Sequence, residues 1–119
     1  MLFRSKVLDD GIPVDKFSAF SASVFNTNDN AVQLSVALLV GDSTTSVKYF
    51  ESPLKLVPTS KWTKLEFDLT GSNWKSAPKW EHNLQLPKTR IWAVNFLVYP
   101  GRETGAIYFD EVSFTAGGK

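Results

Sequence analysis

The chain contains no cysteine. Disulfide staples and thiolate metal sites are therefore excluded, while the compartment stays open, because a secreted domain with an adequate core needs no bridges. Its only histidine is His82, which is too few for a multi-histidine metal centre. Neither charge is in excess: thirteen basic and twelve acidic residues give a formal net charge of +1. No overall field draws such a domain to nucleic acid or to anionic lipid. Long apolar runs are missing, none approaching the roughly 18 to 20 residues of a membrane-spanning helix. The residues after Met1 also lack the charged-then-apolar order of a signal peptide. Phosphate-cradling glycine motifs and Gly-x-Ser-x-Gly elbows do not occur. Glu66 and Asp68 are alternating outward carboxylates of the kind any half-exposed strand displays, so they make no catalytic pair. The expectation is a protein that is not an enzyme, with neither nucleic acid nor membrane as partner.

What the chain does have is the means to build a core. Its 119 residues are 43% hydrophobic and 13% aromatic, with nine Phe, four Trp and three Tyr. This suits one globular domain, residues 1–119, that folds without staples. It opens almost directly on a strand-like run and ends in Ala116-Gly117-Gly118-Lys119, as expected of a module excised from a larger protein.

The hydrophobic period is two throughout. In residues 32–40, Val32, Leu34, Val36, Leu38 and Val40 alternate with Gln33, Ser35 and Ala37, and Leu65, Phe67 and Leu69 alternate with Glu66 and Asp68. In residues 90–99, Trp92, Val94, Phe96 and Val98 share one parity, which places Trp92 toward the core, and Ile91, Asn95, Leu97 and Tyr99 share the other. Further strands are expected at 17–25, 47–50 and 106–114, separated by Asp9-Asp10-Gly11-Ile12-Pro13, Asn26-Thr27-Asn28-Asp29-Asn30, Gly41-Asp42-Ser43 and Pro100-Gly101-Arg102. In the last strand the apolar parity slips between Phe109 and Val112, which predicts a bulge near Asp110-Glu111. No helix is called for. Seven or eight short antiparallel strands predict an all-β, two-sheet antiparallel sandwich of the jelly-roll kind.

Residues 70–89 break this rhythm. The segment TGSNWKSAPKWEHNLQLPKT alternates little and is long for a structureless connection, and such loops often carry function. It holds Trp74 and Trp80. Trp80, between Lys79 and Glu81, has no apolar periodicity to draw it inside and is the first candidate for a stacking residue.

Four patterns in order carry a resemblance: Phe25-Asn26-Thr27-Asn28, the run Trp62-Thr63-Lys64-Leu65-Glu66-Phe67-Asp68-Leu69 with Trp74 soon after, Val94-Asn95-Phe96-Leu97-Val98-Tyr99, and Ile107-Tyr108-Phe109-Asp110-Glu111-Val112. Over most of its length the chain resembles the β-jelly-roll carbohydrate-binding modules attached to glycoside hydrolases and polysaccharide lyases. The resemblance implies a secreted, non-catalytic domain that binds a polysaccharide and is covalently linked to a catalytic domain. It also implies that Asp110 helps to hold a structural calcium ion, with partners such as Asp9, Asp10 and Asp15, and that Trp62 covers the sandwich edge.

Sugar chemistry selects the binding candidates. A pyranose presents C–H patches on its faces and hydroxyls around its rim, so aromatic rings take the faces and amides or charged groups take the rim. The expected binding residues are Trp80, Trp74, Tyr99, Asn95, Gln33, Tyr49 and Arg90. The near-neutral charge favours a neutral plant-type glucan, xylan or mannan. The rival expectation is a structural or protein-interaction sandwich of an extracellular protein, which would keep both Trp74 and Trp80 buried.

Overall fold

The computed structural model describes residues 3–99 and 105–116, with side chains from residue 11 onward. The Pro100-Gly101-Arg102 turn, the side chains of Asp9 and Asp10, and residues 117–119 lie outside it. Eight strands follow in order: β1 Phe3–Pro13, β2 Phe17–Asn26, β3 Val32–Ser43, β4 Ser46–Glu51, β5 Lys55–Val57, β6 Trp62–Asp68, β7 Arg90–Tyr99 and β8 Ile107–Ala116. The one helical element among the described residues is a single 3₁₀ turn at Val14–Lys16.

Two antiparallel sheets form. The larger has the order β1-β7-β3-β4, with β5 also pairing β3, and the smaller has the order β6-β2-β8. The chain changes sheet between β1 and β2, β2 and β3, β5 and β6, β6 and β7, and β7 and β8; only β3, β4 and β5 stay together. This alternation is the jelly-roll path, and the fold is the expected two-sheet sandwich. β5 is too short to show a period, which is why the sequence pattern passes over it.

Alternation in the sequence sorts the side chains between the core and the outer faces. Leu34, Val36, Leu38 and Val40 of β3 and Leu65 and Phe67 of β6 all point into the space between the sheets. Phe20, at the middle of β2, meets Phe67, Phe96 and Phe114 at ring-centroid distances of 6.2, 5.8 and 4.9 Å. Phe96 stacks on Phe109 at 4.3 Å. Aromatic contacts of this kind add to the area term that holds the sheets together.

Two irregularities set the phase. β8 carries the expected bulge: Ser23 pairs with Asp110 and Ser21 with Ser113, so two residues of β8 face one of β2, and Glu111 takes φ 51°. This turns Phe114 inward and leaves Val112 48% exposed. A shift that the alternation did not reveal lies in β7, where Val40 pairs with Ile91 but Leu39 with Ala93. Ile91 therefore enters the core, fully buried, while Trp92 is displaced from it and donates its Nε1–H to Gly41 O at 3.0 Å. The expected inward placement of Trp92 is corrected accordingly. Gly11, at φ 71°, lies against the displaced ring: a Cβ there would meet Trp92 Cδ2 at 3.2 Å and Arg90 Cβ at 3.1 Å.

One end of the sandwich is laced by asparagines. Asn26, fully buried, donates to Asn30 O at 3.0 Å and Val57 O at 3.2 Å, and its Oδ1 accepts from Asn28 N and Nδ2 at 2.8 and 2.9 Å. Asn28 Oδ1 accepts the Gly105 N–H at 2.6 Å, and Thr59 Oγ1 donates to Asn28 O. The Phe25-Asn26-Thr27-Asn28 pattern thus ties three inter-strand connections together, satisfying backbone groups that burial would otherwise orphan.

Candidate functional site

Strand register decides which of the sequence candidates meet. On β3, Gln33, Ser35, Ala37 and Leu39 alternate with the core residues and so occupy the outer face of the larger sheet. Across that face Gln33 pairs with Tyr99, Ala37 with Asn95 on one side and Glu51 on the other, and Leu39 with Tyr49. Gln33, Tyr49, Asn95 and Tyr99 therefore share one face of three adjacent strands. Between them the small side chains of Ser35 and Ala37 are fully buried, and Ser35 Oγ has no hydrogen-bond partner among the described residues.

Glu51 organises one side of this face. Its Oε1 accepts the Tyr49 hydroxyl proton at 2.9 Å, and its carboxylate lies 3.6 Å from Lys75 Nζ. Burial, followed by the bond to Glu51 and that residue's charge, pushes the Tyr49 phenol well above the usual tyrosine range. Burial and then the Glu51 charge raise Tyr99 as well. Glu51 was not among the sequence candidates, although its place two residues after Tyr49 on a period-two strand puts the pair on one face.

Trp80 reaches the same region from residues 70–89, which are ordered by hydrogen bonds rather than by alternation. Asp68 Oδ1 accepts the Thr70 N–H at 2.8 Å and hydroxyl at 2.7 Å, fixing the exit from β6 and holding the Asp68 carboxyl below its ordinary pKa. Trp74 and Leu84 exchange backbone bonds of 3.0 and 2.9 Å, forming a stem. Lys75 and Glu51 exchange bonds of 2.9 and 3.0 Å, which moor that stem to β4. At the tip, the Trp80 N–H returns to Ser76 O at 3.0 Å, and Trp80 takes the left-handed φ of 55°. Its ring is 49% exposed and stands edge-on to Tyr49 at 6.0 Å between centroids.

No family model, curated protein or solved structure matches this chain.

Other candidates fall elsewhere. Trp74 is only 1% exposed, part of the core, and its Nε1–H is spent on Asp68 O at 3.0 Å. It is withdrawn from the binding set, because an indole filling the sandwich interior offers no face to a ligand. Arg90 pairs with Gly41 and Pro13, at the end of β7 remote from Tyr99, and donates to Gly11 O at 3.4 Å. Gly41 continues the outward parity of Leu39, so Arg90 lies on the outer face of the same sheet, one pair beyond the Leu39–Tyr49 pair and at the end away from Gln33 and Tyr99. Trp62 does not cover the edge but stands on the outer face of the smaller sheet, 54% exposed, with its ring 5.4 Å from Phe25.

The expected calcium partners Asp9 and Asp10 have side chains outside the described residues, so the structure shows only the Asp110 end of that site. That carboxylate is exposed, its Oδ1 accepts the Glu111 N–H at 2.8 Å, and among the described residues no three acidic or histidine side chains gather. Calcium takes six to eight oxygens, so no role is derived for it.

Proposed function

We propose that this domain is a non-catalytic carbohydrate-binding module that takes a polysaccharide along the outer face of its larger sheet. One observation carries the reading: Trp80 is held half exposed, in a backbone conformation that costs an L-residue about 1–2 kcal/mol, beside Tyr49 and a strand face bearing Gln33, Asn95 and Tyr99. Strain of this kind persists where the surrounding structure enforces it and tends to mark functional positions. In this reading the indole takes the C–H face of one pyranose, while the Tyr49 and Tyr99 hydroxyls and the Asn95 and Gln33 amides, spread over six residues of β3, address the hydroxyl rims of successive units. Glu51 is paired with Lys75, so its carboxylate beside Tyr49 is balanced, and with the near-neutral net charge of the chain this favours a neutral glucan, xylan or mannan over a uronic-acid polymer. The setting that follows is extracellular, with the domain linked to a catalytic partner that it holds at its substrate.

The structural-spacer alternative expects both loop tryptophans inside the protein. Trp74 is inside and Trp80 is not, so the exposure of Trp80 favours binding. Native gels containing soluble mixed-linkage glucan, xylan or galactomannan test the reading. At least one polymer should retard the wild-type domain, and Trp80→Ala and Tyr99→Ala should each reduce that retardation with the fold intact. A reducing-sugar assay should detect no release. Failure of every polymer to retard the wild type, or retardation untouched by both substitutions, would refute it.

A further inference from the structure

The smaller sheet also carries an aromatic row. Register places Phe25 opposite Trp62 on β6 and opposite Tyr108 on β8, so the three side chains line up across β6-β2-β8. They lie on the outer face, since Val24 on β2 and Ile107 on β8, their neighbours in sequence, are buried in the core. Trp62 and Tyr108 are 54% and 55% exposed; Phe25 is half-buried and its ring is tilted 51° against Trp62, so it acts as a buttress between two presented rings. Two exposed aromatic residues in one row of a three-stranded sheet are not explained by the core.

Their spacing points to an occupant. Neighbouring strands lie about 4.8 Å apart, so the outer strands of a three-stranded sheet are separated by about 10 Å. That is the separation of alternate units in an extended β-1,4-linked pyranose chain, in which alternate rings turn the same face to one side. One residue pair further along the strands, the same face carries Lys64, Ser23 and Asp110 in register, with Ser23 Oγ donating to Glu111 Oε1 at 3.0 Å. Donors and acceptors thus flank the aromatic row on the side where a sugar rim would sit.

We propose that the outer face of β6-β2-β8 is a second glycan-binding surface, with Trp62 and Tyr108 stacking on alternate units of an extended β-linked chain. The sandwich core separates it from the Tyr49–Trp80 region, so the two surfaces face away from each other and one domain bridges two polymer chains. This rests on the carbohydrate reading for the ligand class but not on the Trp80 site.

The test compares wild type, Trp80→Gly, the double variant Trp62→Ala/Tyr108→Ala and the triple combination, in native gels containing soluble mixed-linkage glucan, xylan or galactomannan. Trp80→Gly and the double variant should each keep weakened retardation by the same polymer, and the triple variant should lose it. Loss of one stacking ring should weaken binding roughly tenfold. A single cooperative thermal transition well above the gel temperature shows that each fold is kept. If Trp80→Gly alone abolishes retardation, or the double substitution has no effect in either background, the second surface is refuted and the first stands. If only the double substitution matters, the Trp80 reading fails and the surface on the smaller sheet stands as the glycan site. Wild type bound by no polymer refutes both. A concentration-dependent dimer in sedimentation that Trp62→Ala dissociates would show that the row joins protein copies, which overturns the assignment.

Discussion

Replacing Trp80 with glycine separates a ligand contact from a structural prop. At φ 55° an L-residue carries about 1–2 kcal/mol of strain that glycine does not feel. Against this relief stand the greater freedom of glycine in the unfolded chain, about 0.5–1 kcal/mol, loss of the edge contact with Tyr49, about 0.5–1.5 kcal/mol, and loss of the apolar area of the buried half of the ring, about 1 kcal/mol. The relief offsets part of these losses, so Trp80→Gly should cost about 1–2 kcal/mol, a fall of several degrees in thermal midpoint. Retardation by polysaccharide should fall sharply. Circular-dichroism melting and affinity gels on the same preparation read the two quantities. A loss of more than about 3 kcal/mol, the scale of a core aromatic truncation, would show that the Trp80 ring supports the fold. Undiminished retardation would show that it touches no glycan.

Trp74→Ala should behave oppositely, losing about 3–5 kcal/mol in urea unfolding because it empties a core position and strands Asp68 O. Asn26→Ala should cost about 3 kcal/mol, since buried groups of Val57 and Asn28 lose their partner; an unchanged urea midpoint would contradict the lacing described for that end. The folded-state pKa of Tyr49 is raised, so its contribution to stability is complete below the unfolded value of about 10 and is lost as pH rises from there through the folded value. Wild type should therefore lose more stability than Tyr49→Phe between pH 9 and pH 11, and equal losses would refute the burial and Glu51 effects at that phenol.

The parts of the structure legible in the sequence are those fixed by local alternation. β3 and β6 could be assigned to a face because each apolar residue has a polar or small neighbour, and the parity slip between Phe109 and Val112 revealed the β8 bulge. The same logic fails at Trp92, where the displaced register against β3 reverses the parity of Ile91, a fact carried by the partner strand. Trp74 and Trp80 both lie in an aperiodic segment, so no local pattern could tell which is core; the bridges of Trp74 to Leu84 and of Lys75 to Glu51 decide it. The pairing of Gln33 with Tyr99 and of Leu39 with Tyr49 follows from neighbours distant in sequence. Their shared face could be suggested from parity, but adjacency required the sheet order.

The stem at Trp74 and Leu84 holds its own backbone pairing, fills the interior with one indole and is moored to β4, whereas the tip from Ser76 to Trp80 is closed by a single turn bond. Anchorage and presentation are thus carried by different residues. Substitutions confined to the tip can change what it displays without disturbing the sandwich, so residues 77–80 can be exchanged for other sequences while the fold is kept. The stem is the part such an exchange must leave intact.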